Sequence, residues 1–406
     1  MEAIHLVFQP LGRRCRVLPG DTIFMVAKRY GLAPEAVCNG LRSCGRCRVQ
    51  VKKAGRPERG REKSSLSPIT SRERAVFTPA ELVQGWRLAC VAKPLDDLVV
   101  QLPEIAAPRL IPTVSGQKLP VFECNHAGSE EVPSEIIRKF HVDYWDAYQC
   151  GPVMSAVSAM IADTCSDPVC KLPFCITIEA GAFGAEIRFP QSGRLPIPSS
   201  NYRFQSLEEL VGLEDIDFTR GRIREVLEAV KLLHAVGRRV VLKVEAPFTV
   251  LSMLLEMTLI YKGMRQKPLL IEETLQRIRC NLVQYMDLAF AAGADIISYA
   301  DPSGVVEFVG PNVFREWSGR QTVLLLQEVC QLRHGGIVHI CGKTSTSLEY
   351  MGMASSQNYR IPGRLNFAQA LFRMYDPHKI ILTGHNCILM TAEAAENQTV
   401  SVISCK

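Results

Sequence analysis

The chain has 406 residues, 47% hydrophobic and 22% charged. That is too long for one ordinary domain, so two or three are expected, and the balance is that of a soluble protein able to bury a large core. No apolar run approaches the roughly 20 residues of a membrane span, and MEAIHLVFQPLGRRC lacks a signal peptide's long apolar core, so no membrane association and a cytoplasmic location are expected. Fifteen cysteines in such a chain point to metals and free thiols rather than disulfides. The net charge of +6 is uneven: residues 1–105 hold 18 Lys and Arg against 10 Asp and Glu, the remainder 29 against 31. The basic excess gathers in VKKAGRPERGREK, either a solvated loop or a docking surface for an acidic redox partner. Nucleic acid is not an expected partner, because no aromatic residues interleave with these charges.

Residues 2–9 and 14–18 alternate like a hairpin, and DTIFMVAKRYGL reads as a helix with Asp21 as N-cap. The run AVCNGLRSCGRCRVQV then sets Cys38, Cys44 and Cys47 in a C-x5-C-x2-C pattern, with Cys90 following in GWRLACVAKP. A [2Fe–2S] cluster takes four thiolates, and plant-type ferredoxins take three from one loop and one from a distant strand end; Gly40 and Gly45 let the loop fold tightly. C-x2-C alone would equally suit zinc or a redox dithiol; the further cysteines favour the cluster. CRVQVKK, RLACVAK and DDLVVQLPE read as strands and complete a β-grasp order. In these segments residues 1–105 resemble the [2Fe–2S] ferredoxin domain of the reductive activators of corrinoid proteins. The five-residue gap resembles that of adrenodoxin-like ferredoxins. The resemblance implies a low-potential electron carrier, itself served by a low-potential electron donor.

Residues 106–120, rich in proline and small residues, read as a linker, and 121–172 read as mainly helical. From 173 short apolar runs (ITIEAGAFGAEIRF, VVLKVEAPFTV, DIISYAD, IVHICG, KIILTGHNC) alternate with helical stretches. That alternation argues for parallel βα units and, by their number, for a (β/α)8 TIM barrel over 121–406 with its site at the C-terminal strand ends. The segment GKTSTSLEYMGMASSQNYRIPGRLN is not clearly βα, which predicts a remodelled unit there. Cys165, Cys170, Cys175 and Cys280 are expected as buried small hydrophobes.

Two strand ends carry soft metal ligands. IVHICG sets His339 and Cys341 on one face of an extended segment, and Cys387 follows the next apolar run. One imidazole and two thiolates at an open barrel mouth suit catalytic zinc with a vacant position for substrate; a structural histidine and a buried cysteine are the plain alternative. His385 is a fallback ligand. Asp301 also ends a strand and could hold substrate, orient a ligand or take zinc's fourth position. Glu245 and Glu179 are further candidates, with salt bridging or strand capping as the alternative.

GAFGAEIRFP, VVLKVEAPFTVLSMLLE, AAGADIISYADPSG with PNVFREW, and IVHICGKT resemble the uroporphyrinogen decarboxylase-like barrel, and within it the methylcobamide:coenzyme M methyltransferases. That resemblance implies zinc held by His339, Cys341 and Cys387. It also implies methyl transfer between a methylcobamide and a thiol or another small-molecule donor or acceptor. The decarboxylase's Arg-rich substrate motif has no counterpart here, so decarboxylation is not expected. No D-x-H-x-x-G pattern occurs either, so the cobamide is expected on a partner corrinoid protein. Transfer in the demethylating direction, from a methylated substrate to cobalt, fits the same ligands. A corrinoid-reactivation protein with a non-catalytic barrel is the third possibility, weakened by the lack of a Gly-rich phosphate loop.

Overall fold

A computed structural model describes residues 4–9, 13–30, 32, 45, 47–53, 65–102, 122, 132–140, 143–189, 195–199 and 201–406. The chain divides into two compact units between residues 118 and 119. Cys38, Cys44 and the 106–120 linker lie outside the described residues.

In the first unit β1 (His5–Gln9) and β2 (Arg13–Arg16) form an antiparallel hairpin, followed by α1 (Ile23–Arg29) and β3 (Arg48–Lys53). The short helices α2 (Ser71–Val76) and α3 (Pro79–Val83) lead to β4 (Trp86–Leu88) and β5 (Leu98–Gln101). β5 runs parallel to β1 and antiparallel to β3, giving the order β2-β1-β5-β3-β4. The two-residue period of the strands turns Leu6, Phe8, Val49, Val51, Leu98 and Val100 into one core, where they meet Ile23, Val26 and Ala27 of α1. The N-cap of α1 is Thr22, not Asp21. The Asp21 carboxylate is occupied elsewhere, accepting from the Leu18 amide at 2.8 Å and from Arg29, so the adjacent hydroxyl takes the capping position. Both short helices open with capping boxes, Thr70 with Glu73 and Thr78 with Glu81. Burial alone would raise the Glu73 carboxyl, but Arg87 at 2.7 Å and Thr70 hold it below its usual range.

The second unit begins with α4 (Ser134–Phe140), α5 (Asp146–Gln149) and α6 (Gly151–Thr164). β6 (Val169–Leu172) lies inside the stretch read as helical; four residues between Pro168 and Pro173 are too few to display a period. ITIEAGA, read as an apolar run of strand type, contains α7 (Ile178–Ala182), so Glu179 sits in a helix's first turn. A small hairpin, β7 (Ile187–Arg188) with β8 (Ile197–Pro198), precedes α8 (Gly221–Ala235) and β9 (Arg239–Glu245). Next come α9 (Pro247–Leu254), α10 (Met257–Gln266), α11 (Pro268–Ala291) and β10 (Ile296–Ala300). α12 (Val306–Val309) and α13 (Pro311–Val313) pass through a π-turn at Phe314–Ser318 into α14 (Gly319–Val329), then β11 (Gly336–Ile340). The chain ends with α15 (Gly342–Tyr350), β12 (Ala354–Arg360), β13 (Arg364–Asn366), α16 (Phe367–Phe372), β14 (Ile380–Gly384), β15 (Ala394–Glu396) and β16 (Thr399–Cys405).

One sheet orders these strands β12-β16-β14-β11-β10-β9-β6. β6, β9, β10, β11 and β14 are mutually parallel, the βα order expected from the sequence. A ring of eight parallel strands is not what the described residues form. Beyond β14 the sheet continues with β16 and β12, both antiparallel pairings, and β12 is built from the very segment that did not read as βα. Val169, Val241, Ile296 and Ile337 line the inner face of four parallel strands and pack with Phe367, Ala368 and Leu371 of α16 and with Val400 of β16. Strands from both sides of the sheet therefore close on one helix. Cys170 and Cys175 are buried as expected, whereas Cys165 and Cys280 are exposed, at the C-cap of α6 and within α11. No helix among the described residues is long and apolar enough to cross a membrane.

Candidate functional site

Strand register sorts the inner face of the second sheet into layers. Val241, Ile296, Ile337 and Ile381 are cross-strand neighbours in an apolar row, and two residues further on stand Lys243, Ser298, His339 and Thr383. Four polar side chains in one row, above an apolar layer and below the strand ends, mark the floor of a site. His339 is fully buried, with Nδ1 3.4 Å from Ser298 Oγ and no hydrogen-bond partner for Nε2 among the described residues. Burial pushes its pKa down to about 4, against smaller opposing contributions from nearby backbone groups. The ring is therefore neutral near pH 7, the form that ligates a metal.

Above this row the ends of β9, β10 and β11 carry Glu245, Asp301 and Cys341. The Ala246 amide donates to Ala300 O and the Cys341 amide to Tyr299 O, both at 2.8 Å, so the three turns leave the sheet side by side. Asp301 is buried, its Oδ1 accepting from Thr249 Oγ1 at 2.7 Å and its Oδ2 lacking a partner among the described residues. Burial pushes this carboxyl up to about 6, the Thr249 bonds opposing. Gly304 is obligatory beside it, since a β-carbon there would lie 2.0 Å from Asp301 Oδ2. Glu179 Oε1 accepts from the Glu245 amide at 3.2 Å, and burial pushes Glu179 up to about 7. Near neutral pH these two buried carboxyls change protonation within the working range, a property of acid–base and substrate-holding groups.

Cys341 is also the N-cap of α15, and α15 fastens the neighbouring turns. Thr344 Oγ1 accepts from the Asp301 amide at 3.1 Å, the Gly342 amide donates to Asn386 O at 3.0 Å, and Ser345 Oγ accepts from the His385 amide at 2.8 Å. The Phe122 ring lies over Gly342 so closely that a β-carbon would meet it at 2.2 Å. Cys341 and Cys387 thus stand on adjoining turns tied backbone to backbone. The side chains are a separate matter: no three His, Cys, Asp or Glu among the described residues converge as a metal-holding group. The donor set nevertheless suits a soft ion, with a neutral buried imidazole nitrogen lacking a hydrogen-bond partner below and two half-buried thiols above.

In the first unit Cys47 and Cys90 are buried next to one another: the Cys90 amide donates to Cys47 Sγ at 3.4 Å and the Ala89 amide to Cys47 O at 2.7 Å. An amide aimed at sulfur stabilises thiolate character there.

The sequence reading missed Lys243, Ser298 and Thr383, and the side chains of α15. The first three could be found from register, since each is a polar residue interrupting an apolar strand. The α15 contacts carry no local signal, because they depend on how that helix meets β14.

The second unit, so built, is that of an enzyme family. The family model described as uroporphyrinogen decarboxylase (URO-D) matches residues 115–394, and the chain belongs to that family. Methylcobamide:CoM methyltransferase MtaA of Methanosarcina barkeri is 27% identical over 250 residues, covering 60% of this chain and 71% of the relative. A solved structure described as a methyltransferase from Methanosarcina mazei shares 26% identity, covering 53% of this chain and 64% of that one, with a TM-score of 0.47. An 85-residue stretch, 21% of this chain, is 31% identical to a component of the Na(+)-translocating NADH-quinone reductase of Yersinia enterocolitica, covering 18% of that component.

Proposed function

We propose that the second unit is a zinc-dependent corrinoid methyltransferase, moving a methyl group between a methylcobamide carried by a corrinoid protein and a thiol or other small acceptor. Its architecture is read as a form of the family's barrel in which five parallel strands are continued by the antiparallel β16 and β12. The observation that carries the reading is the buried, neutral His339, with its Nε2 lacking a hydrogen-bond partner, beneath the joined turns of Cys341 and Cys387. His339, Cys341 and Cys387 would hold the zinc, which when bound keeps a substrate thiol as thiolate at neutral pH. Two cysteinate ligands would cancel the 2+ charge of the zinc, so that a bound substrate thiolate makes the site net negative and keeps its nucleophilicity. Asp301 and Glu245 stand at the neighbouring strand ends, where they can orient substrate. Asp301, whose carboxyl burial pushes up to about 6, would serve as acceptor of the thiol proton.

The first unit is read as a [2Fe–2S] carrier held by Cys38, Cys44, Cys47 and Cys90. Support comes from the β2-β1-β5-β3-β4 order and from the Cys90 amide directed at Cys47 Sγ. Such clusters reach about −400 mV, among the lower potentials a simple carrier offers for returning oxidised cobalt to its methyl-accepting state.

The test is anaerobic purification with zinc, iron and sulfide analysis, followed by mixing with methylcobalamin and a panel of thiols and tetrahydrofolate while the corrinoid spectrum is followed. Stoichiometric zinc and thiol-dependent loss of methylcobalamin are expected. A zinc-loaded protein that demethylates nothing in the panel overturns the methyltransferase reading. Collapse of methyl transfer from pre-formed methylcobamide in a Cys38→Ser, Cys44→Ser variant, with cobalt reduction intact, overturns the role given to the first unit.

A further inference from the structure

His385 is one of three non-glycine residues with positive φ among the described residues, at +61°. A residue with a β-carbon holds that conformation when its surroundings over-determine it. Here the surroundings are all on α15. The His385 amide donates to Ser345 Oγ, which itself donates to Cys341 O at 3.1 Å. His385 Nδ1 lies 3.2 Å from Thr346 Oγ1, and Nε2 lies 3.0 Å from Glu349 Oε2 at ion-pair distance. On one side Gly384 allows the contact, since a β-carbon there would sit 2.7 Å from Ser345 Cβ; on the other, Asn386 O accepts from the Gly342 amide. Three consecutive residues leading into Cys387 are therefore fastened to the helix that Cys341 opens. Nδ1 of His385 is within hydrogen-bond distance of Thr346, and Nε2, which has no hydrogen-bond partner among the described residues, lies at ion-pair distance from Glu349.

We propose that His385, braced by Thr346 and Glu349, is a positioning residue that fixes the separation of the Cys341 and Cys387 turns, so that only side-chain rotation is left to complete the metal site. The inference rests on the zinc reading above.

The experiment uses the full chain loaded with zinc, competed with a chromophoric chelator, together with the absorption spectrum of its cobalt(II) form. His385→Gly keeps the amide bond and suits the positive φ but removes the ring. It is expected to weaken zinc affinity by about 10–100-fold, the usual effect of losing a residue behind a ligand. It should also change the cobalt–thiolate bands and leave the melting temperature of the chelated protein no lower. Thr346→Val and Glu349→Ala should weaken zinc in the same direction, with Glu349→Gln retaining more than Glu349→Ala. They decide the matter if His385→Gly does not fold. Variants that hold zinc as tightly as the parent, with unchanged cobalt spectra, overturn this inference alone. A parent chain that binds no zinc overturns the function reading with it.

Discussion

Asp301 offers a quantitative test of the site. It is 1% exposed, with one carboxylate oxygen bonded to Thr249 and the other without a partner among the described residues, and its pKa is raised from 3.8 to about 6. A folded-state pKa above the unfolded value means that the acid form is favoured by folding. Its contribution is fully present below the unfolded pKa and is lost as pH rises through the folded one. The shift corresponds to about 3 kcal/mol at full ionisation, of which about 2 kcal/mol develops between about pH 4.5 and about pH 7.5. Asp301→Asn preserves the shape of the neutral acid and cannot ionise. Any cost of burying the amide is the same at both pH values, so the change in the difference between variant and parent isolates the charge. The variant's advantage should therefore grow by about 2 kcal/mol between these pH values, about 4–8 °C in melting temperature for a unit of this size. The assay is thermal unfolding of chelator-treated protein at both pH values, following the second unit's transition. Glu179 titrates in the same window but is common to both proteins and cancels. A gap that stays constant with pH, or narrows as pH rises, refutes the reasoning.

Other outcomes follow from neighbouring contacts. Gly304→Ala drives a β-carbon to 2.0 Å from Asp301 Oδ2, and should cost about 1–3 kcal/mol by overpacking, plus much of the Thr249 bond, read as a lowered melting temperature. Glu179→Gln should stabilise above its pKa of about 7 and do nothing below pH 4.5, again because burial raises the acid. Arg87→Ala strips the buried Glu73 of its guanidinium and should destabilise the first unit by about 3–5 kcal/mol at neutral pH, measured by urea unfolding. Cys90→Ser should abolish visible iron–sulfur absorption while leaving zinc content unchanged; retained cluster absorption speaks against Cys90 as a ligand.

Much of this organisation is legible in the sequence where periodicity is long enough to register. The hairpin, α1 and later strands of the first unit follow from two- and 3.6-residue alternation. In the second unit β9, β10, β11 and β14 are apolar runs bounded by helical stretches. β6 escapes because VCKL is short and flanked by prolines, and α7 because I-T-I imitates strand alternation before the glycines. Asp21 and Thr22 both qualify by type as the N-cap of α1, and only the tertiary contact of Asp21 to Arg29 separates them. Within the candidate site, His339, Cys341 and Cys387 are proposed from the sequence by chemistry alone, and Asp301 by its place at a strand end. The brace through α15 cannot, since its members are common polar residues given meaning only by the approach of a strand nearly forty positions away.

The remodelled end of the sheet bears on how such an enzyme can diversify. The antiparallel strand β12 lies in sequence between α15, which holds the donor turns together, and β14, which delivers Cys387, and it supplies neither donors nor brace except Ser356, bonded to Glu349. It is an outer strand whose side chains from Ser355 to Arg360 reach solvent. Sequence drift there leaves the hydrogen bonds between α15 and the turn after β14 in place, so a lineage can change this edge of the sheet without disturbing how those two turns meet.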